Sequence, residues 1–408
     1  MEHNHLYLDT ARLGRMSRRA QHAHVDLSRL AGEEAGSVFF ERFLVEGSRD
    51  WCSTLRCRYP GLECWQGVAP LKEGLRALAG STPTLPVLMV NRLSQLMRFA
   101  ARLLFHPCRN VLVTDLGWPP YHEILDSEAR RAGRAVTTAR LKTWILEGKA
   151  TEDEVIDVIR RRFLEADCDG LFLTSVSHLG IRLPVERLVR ALEDIRKVRL
   201  VVVDGAQHFC HVAADLSNEY CDLYLAGSHK WLQGFHPMGL GFYGRQRSRA
   251  TIETVLKHLL ASGELDDPLL RFTTQLETAV LDGVTETVNV FPLFTCQGAV
   301  AEALESSVAP PPHLGARQQN LAKAAELAES CGWRPVQATS PFASGILLLE
   351  AERESTRGVP AQHLRRSFAA NGIALTAYDG GLIRLSMPGE EWQPAEIEQL
   401  RMALHAVA

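Results

Sequence analysis

Lysine is scarce in this 408-residue chain. Of its 45 basic residues only Lys72, Lys142, Lys149, Lys197, Lys230, Lys257 and Lys323 are lysines, so chemistry that needs a nucleophilic amine has few candidates. Neither sign of charge prevails: 45 basic residues face 48 acidic ones and the net charge is -3. That balance gives no general attraction to nucleic acid or to an anionic membrane. No apolar run is long enough to span a bilayer. The opening MEHNHLYLDT lacks a basic stretch followed by an apolar one, so no secretion signal is read and a cytoplasmic location is expected. The nine cysteines are odd in number and scattered. Cys52, Cys57 and Cys64 lie at spacings of five and seven, which excludes a CxxC zinc knuckle and favours reduced thiols used in packing. His208, Cys210 and His211 resemble metal ligands but lack further partners; His208 and His211 are expected to pack in a helix, and no metal is expected. With 46% hydrophobic and 23% charged residues, the chain is neither disordered nor collagen-like.

What is present is an alternation. Short apolar, β-branched runs stand at 85–90, 110–115, 135–139, 170–176, 199–204, 222–227 and 239–244. Between many of them lie stretches with helical period, such as Ser94 to Phe105. Thr151 and Glu154 form a capping-box pattern, and Pro184 opens another helix at a first-turn position. Strands alternating with helices predict an α/β domain with a seven-stranded, mostly parallel sheet covered on both faces. The last run follows its predecessor without a helix and is expected to be antiparallel. A proline run near 309–312 marks a hinge, and the remainder reads as a small α+β C-terminal domain. The expected division is an N-terminal segment over 1–25 packing with the small domain, a large domain over 26–309 and the small domain over 310–408.

In open α/β sheets ligands bind beyond the carboxyl ends of the strands. There the sequence offers Asn91-Arg92-Leu93-Ser94 feeding a helix N-terminus, which suits an anion. Trp118 follows the second run, Ser177 and His178 the fourth, Asp204 and Gln207 the fifth, and Ser228-His229-Lys230 the sixth. An anion cradle, an aromatic plate, a buried acid and an amine therefore converge on one edge. Pyridoxal 5'-phosphate needs that set: N–H groups and hydroxyls for its phosphate, a carboxylate for its ring nitrogen, a flat partner for its ring and a lysine for its aldehyde.

Asp204-Gly205-Ala206-Gln207, then Ser228-His229-Lys230-Trp231 and Pro237-Met238-Gly239, resemble the class V aminotransferase superfamily of fold type I pyridoxal-phosphate enzymes. The resemblance begins at Tyr7-Leu8-Asp9-Thr10-Ala11 and ends at Ile383-Arg384-Leu385-Ser386. It implies that Lys230 bonds the cofactor and then carries the Cα proton. Asp204 would pair with the ring nitrogen, Gln207 would face the phenolic oxygen and Trp118 would stack on the ring. Arg92, Leu93, Ser94, Ser228 and His229 would surround the phosphate. Ser177, which stands where an asparagine is common in desulfurases, would also contact the cofactor, with His178 as the alternative. Arg384 would clamp the carboxylate of an amino-acid substrate, with Arg12 or Arg15 near the N-terminus as the alternative. The resemblance also implies a homodimer. A threonine after a glycine often reaches the neighbouring subunit's phosphate; here Gly283 is followed by Val284, with Thr285 and Thr287 nearby.

The reaction is narrowed by one absence. Desulfurases carry a nucleophilic cysteine on a loop, but Ala374–Gly381, before Arg384, contains none, and Cys331 ends a predicted helix. Cα deprotonation by Lys230 remains, leading to β-elimination, transamination or epimerisation, with decarboxylation as a related outcome. The opening Leu6–Ala11 with Gly14-Arg15-Met16-Ser17 looks closer to lyases acting on cysteine S-conjugates, and this makes a C–S β-lyase of specialised metabolism the first expectation. A cofactor-binding homologue without turnover is the alternative from another class.

Overall fold

The computed structural model describes residues 5–33, 41–278, 288–305 and 313–408. The proline run and the segment Gly283–Thr287 lie outside the described residues. The chain opens with a two-residue strand β1 (Leu6–Tyr7). The central sheet follows: β2 (Val87–Val90), β3 (Asn110–Thr114), β4 (Ala135–Ala139), β5 (Gly170–Thr174), β6 (Leu200–Asp204), β7 (Leu223–Gly227) and β8 (Gly239–Tyr243). Their spatial order is β2-β8-β7-β6-β5-β3-β4, and β8 runs antiparallel to both its neighbours. All seven apolar runs thus became strands, and the last has the expected direction.

Apart from the edge strand β4, these runs are strands buried on both faces because their alternate residues feed two separate cores. Leu171, Leu173, Val201, Val203, Tyr224 and Ala226 point into one core, with Leu27, Leu71, Phe163 and Leu188 of the covering helices. Phe172, Leu200, Val202, Leu223 and Leu225 point into the other, with Leu96, Leu103, Leu125 and Ile252. Local signals agree with this arrangement. Thr151 accepts from the Glu154 N–H while Glu154 accepts from the Thr151 N–H, closing the capping box of the helix Glu152–Glu165. Pro184 is the residue before the helix Val185–Glu193, one place earlier than expected.

The C-terminal layer is a second sheet of order β12-β13-β10-β9, formed by β9 (Trp333–Val336), β10 (Ile346–Ala351), β12 (Thr376–Tyr378) and β13 (Leu382–Ser386). Its neighbouring strands are antiparallel. The short β11 (Ile373–Ala374) pairs in parallel with β1, and Leu6 and Leu8 are buried in this layer's core. The N-terminal segment then crosses back to the large sheet. The Gly14 N–H donates to the His229 carbonyl at 2.7 Å and the Ser17 N–H to Gln233 O at 3.0 Å. A Cβ on Gly14 would lie 2.0 Å from the Lys230 carbonyl oxygen, so only glycine allows this approach.

Candidate active site

The registers of the large sheet decide which residues share an edge. Thr174 pairs with Asp204, Asp204 with Leu225, and Gly227 with Gly239, which in turn pairs with Val90. The carboxyl ends of β2, β5, β6 and β7 therefore lie together. Beyond them opens a cavity of about 490 Å³. From the large sheet it is lined by Trp118, Tyr121, Thr174, His178, Asp204, Gln207 and Lys230. Ala11, Arg12, Arg365, Thr376, Ala377, Tyr378 and Arg384 close it from the N-terminal segment and the C-terminal layer.

Asp204 is buried at the last position of β6, and its Oδ1 accepts the Ala206 N–H at 3.0 Å. Burial raises its pKa, while that N–H and the Lys230 charge oppose the rise. Lys230 follows β7 by three residues. Burial draws its pKa down to about 8, helped by Arg384 and opposed by Asp204. Its amine can thus change protonation near neutral pH, as a proton carrier requires. The loop after it contains two non-glycine residues with left-handed backbone, Gln233 and Phe235. Such strain persists where the surroundings enforce it.

Arg384, on β13, is only 4% exposed. Its Nη1 donates to the His178 carbonyl at 3.3 Å and its Nη2 to Thr376 Oγ1 at 3.2 Å, with Asp9 Oδ1 3.5 Å away. Its Nε has no partner. Gln207 lines the cavity, but its amide is held at both ends: it donates to Ala11 O at 2.7 Å and accepts the Trp231 indole N–H at 2.8 Å. Trp118 is 41% exposed and meets the His178 ring edge-on, with centroids 5.0 Å apart.

The structure brings Trp118, Asp204, Gln207, Lys230 and Arg384 onto one cavity and leaves other named residues off its wall. Ser177 is fully buried, its hydroxyl accepting the N–H groups of Leu179 and Ile181. A serine that closes its own turn has no oxygen left for the cavity, and His178 lines it instead. Burial and the Arg384 charge lower the His178 pKa to about 4, leaving a neutral imidazole at neutral pH. Arg92, Leu93, Ser94, Ser228 and His229 lie beside the cavity, where the edge is defined by Val90, Gly227 and Gly239. Arg92 and Ser94 are exposed, and the helix Leu93–Phe105 starts without a side-chain cap, so its first N–H groups are open to an anion. The Ser228 hydroxyl donates to His236 O and Met238 O, whereas His229 Nδ1 is buried without a partner. His208, Cys210 and His211 sit in turns after β6, not in a helix. His211 stacks on Trp231 at 3.7 Å and its Nε2 accepts the Gly345 N–H, so its ring links the lysine loop to the C-terminal layer. Among the described residues no group of three His, Cys, Asp or Glu could hold a metal.

The wall is built for a polar guest. Thr174 Oγ1, His178 Nδ1 and Arg384 Nε are buried atoms without partners, and all three residues line the cavity. Buried polar groups cost free energy unless paired. An aromatic ring with a basic nitrogen, an aldehyde and a phosphate fits the sequence of Asp204, Lys230 and the open helix start.

Sequence reasoning missed Tyr121, Thr174, Arg365, Thr376 and Tyr378, and named Arg12 only as an alternative to Arg384. Thr174 and Tyr121 had a usable signal: each lies at or near the carboxyl end of a strand run. The others come from segments far apart in the chain.

Known proteins agree with this reading. Residues 101–295 match the family model of class V aminotransferases. The isopenicillin N epimerase of Amycolatopsis lactamdurans is 34% identical over 132 residues, which are 32% of this chain and 31% of that one. Its Streptomyces clavuligerus counterpart is 29% identical over 181 residues, 44% and 42% of the two chains. The matched stretches thus span less than half the length of these curated relatives. A solved complex of the cystine C–S lyase C-DES with cysteine persulfide superposes with a TM-score of 0.72 at 14% identity, covering 98% of this chain and 97% of that one. That likeness shows the fold. The fold class and the class V resemblance read from the sequence are borne out, and pyridoxal 5'-phosphate is the cofactor of that class of enzymes.

Proposed function

We propose that this chain, a class V aminotransferase over residues 101–295, removes the Cα proton of an amino-acid substrate with pyridoxal phosphate as cofactor. The observation that carries the reading is the joint placement of Lys230, Asp204 and Arg384 on one cavity of about 490 Å³. When bound, the cofactor supplies an electron sink for the pair left by a broken Cα bond. Asp204 offers a buried carboxylate to the ring nitrogen. Arg384 orients the substrate through its carboxylate, using the planar fork that a lysine lacks. Lys230 takes the Cα proton on Nζ and hands it on. Tyr378, Thr376 and Ala11 line the site on its roof side. A homodimer, as the resemblance implies, belongs to the same proposal.

Two outcomes have specific support. Expulsion of a β-thiolate, a C–S lyase reaction, rests on the opening Leu6–Ala11 with Gly14–Ser17 and needs no group beyond Lys230. Inversion at Cα is favoured by the two epimerase relatives. A desulfurase gains no support: no cysteine lines the cavity among the described residues, and Cys331 is buried with its Sγ 3.8 Å from the Arg401 carbonyl.

The test is Cα hydrogen exchange in D2O across a panel of amino acids and cysteine S-conjugates. Exchange at Cα is the expected result, with pyruvate plus thiol marking elimination and a changed Cα configuration marking epimerisation. A cofactor-loaded protein that exchanges no substrate of the panel would sink the proposal.

A further inference from the structure

The cavity carries a positive charge that the proposed reaction does not use. Besides Lys230 and Arg384, Arg12 and Arg365 line it, while Asp204 is the one carboxylate on its wall among the described residues. Arg12 is set by its own N–H donating to Asp9 O at 2.9 Å, and Arg365 stands on the helix Ala361–Ala370. Neither side chain has an ion pair or hydrogen bond among the described residues. Some arginines elsewhere on the surface are paired instead: Arg29 with Glu33, Arg190 with Glu186, Arg247 with Glu193. Unpaired guanidinium groups at a cavity mouth attract a guest of opposite charge.

The known claims on positive charge are already met. Arg384 serves the α-carboxylate. The cofactor's phosphate belongs at the start of the helix Leu93–Phe105, where Arg92 and Ser94 lie off this cavity. Two guanidinium groups are left over. Both come from the roof, where a substrate side chain would extend from a Cα held near Lys230. The half-buried Tyr378 lies within the field of both Arg384 and Arg12, and Arg365 lines the same cavity.

We infer that Arg12 and Arg365 bind a second carboxylate, carried by the substrate's side chain, and so select acidic amino acids or conjugates whose distal end is acidic. The inference rests on the Cα-proton reading above.

The test compares matched pairs in the cofactor-loaded protein. Cα exchange is measured for glutamate against norvaline and for S-carboxymethylcysteine against S-propylcysteine. Binding of glutarate against butyrate is measured by calorimetry, which needs no turnover. The acidic member of each pair is expected to be preferred. In Arg12→Ala/Arg365→Ala that preference should shrink by about tenfold or more, the scale of one lost charge-assisted contact. Arg12→Lys/Arg365→Lys should retain part of it, since the charge survives. Equal handling of both members by the native protein, or an unchanged preference in the double alanine variant, would overturn the inference. Absence of exchange with every amino acid, together with a glutarate preference that the double variant loses, would instead overturn the Cα-proton reading and leave the acidic site standing.

Discussion

The floor of the cavity is the carboxyl edge of β2, β5, β6 and β7, strands buried on both faces, whereas its roof is assembled from Ala11 and Arg12, from Arg365 and from Thr376–Arg384. On the floor, position follows from register: Thr174, Asp204 and Leu225 are consecutive partners across three strands. On the roof, position follows from pairings as slight as the two residues of β1 against the two of β11. The floor also holds the groups whose protonation burial has moved, Asp204, Lys230 and His178. The roof's five polar side chains, Arg12, Arg365, Thr376, Tyr378 and Arg384, are arginine, tyrosine or threonine. The difference assigns bond chemistry to the floor and substrate choice to the roof.

The largest expected effect is therefore a floor substitution. Lys230→Ala should lower Cα exchange by about a thousandfold or more, since positioned acid–base groups typically contribute 10² to 10⁴. Asp204→Asn keeps the shape but removes the charge, and should cost about a hundredfold at the same step. Both should leave the binding of a dicarboxylate such as glutarate nearly intact, because that is a roof property. Exchange rates and calorimetry on the same preparations decide the matter. A floor variant that lost glutarate and kept exchange would reverse the assignment.

Sequence legibility divided along the same line. The seven runs, the direction of β8 and the Asp204–Lys230 spacing could be read because each depends on local period and on a fixed strand-to-edge rule. Trp231 was read only as part of the motif around the lysine and given no role, although it holds Gln207 and stacks on His211. Ser177 was assigned to the cofactor because strand-end position says nothing of side-chain direction; the turn consumed its hydroxyl. Arg365 and Tyr378 were invisible as neighbours of Arg12 because no period links residues more than 350 positions apart.

A second expected effect separates the two regions by pH. Burial, with nearby cations, lowers the pKa of His178, His208 and His229 to about 4, and lowers that of His211 as well. All four follow strands of the floor. Between about pH 6.5, where a histidine titrates in the unfolded chain, and about pH 4, the unfolded state binds more protons than the folded one. Stability therefore falls as pH falls through that window, by up to about 1.4 kcal/mol per pH unit for each histidine. Urea midpoints should drop steeply from pH 6.5 to 5, and less so in His178→Gln/His208→Gln. Equal slopes in the two proteins would remove the histidines from the account.

The smallest effect concerns the roof's own buried pair. Asp9 Oδ1 lies 3.5 Å from Arg384 Nη2, and Thr376 donates to the same carboxylate. Arg384 is 4% exposed, so Asp9→Asn leaves a buried guanidinium with one anionic neighbour fewer. Breaking a fully buried pair costs about 3–5 kcal/mol; here the His178 carbonyl and Thr376 still accept from Arg384, and Asp9 keeps some solvent, so about 1–2 kcal/mol is expected. The loss falls on the free protein. A carboxylate ligand brings an anion to Arg384 and restores the missing partner, so the variant gains more from the ligand than the native protein does. By linkage, the rise in melting temperature on adding a monocarboxylate such as butyrate should be larger in Asp9→Asn than in the native chain. An equal rise in both would mean that Arg384 does not receive the carboxylate, and that the roof's clamp lies at Arg12 or Arg365 alone.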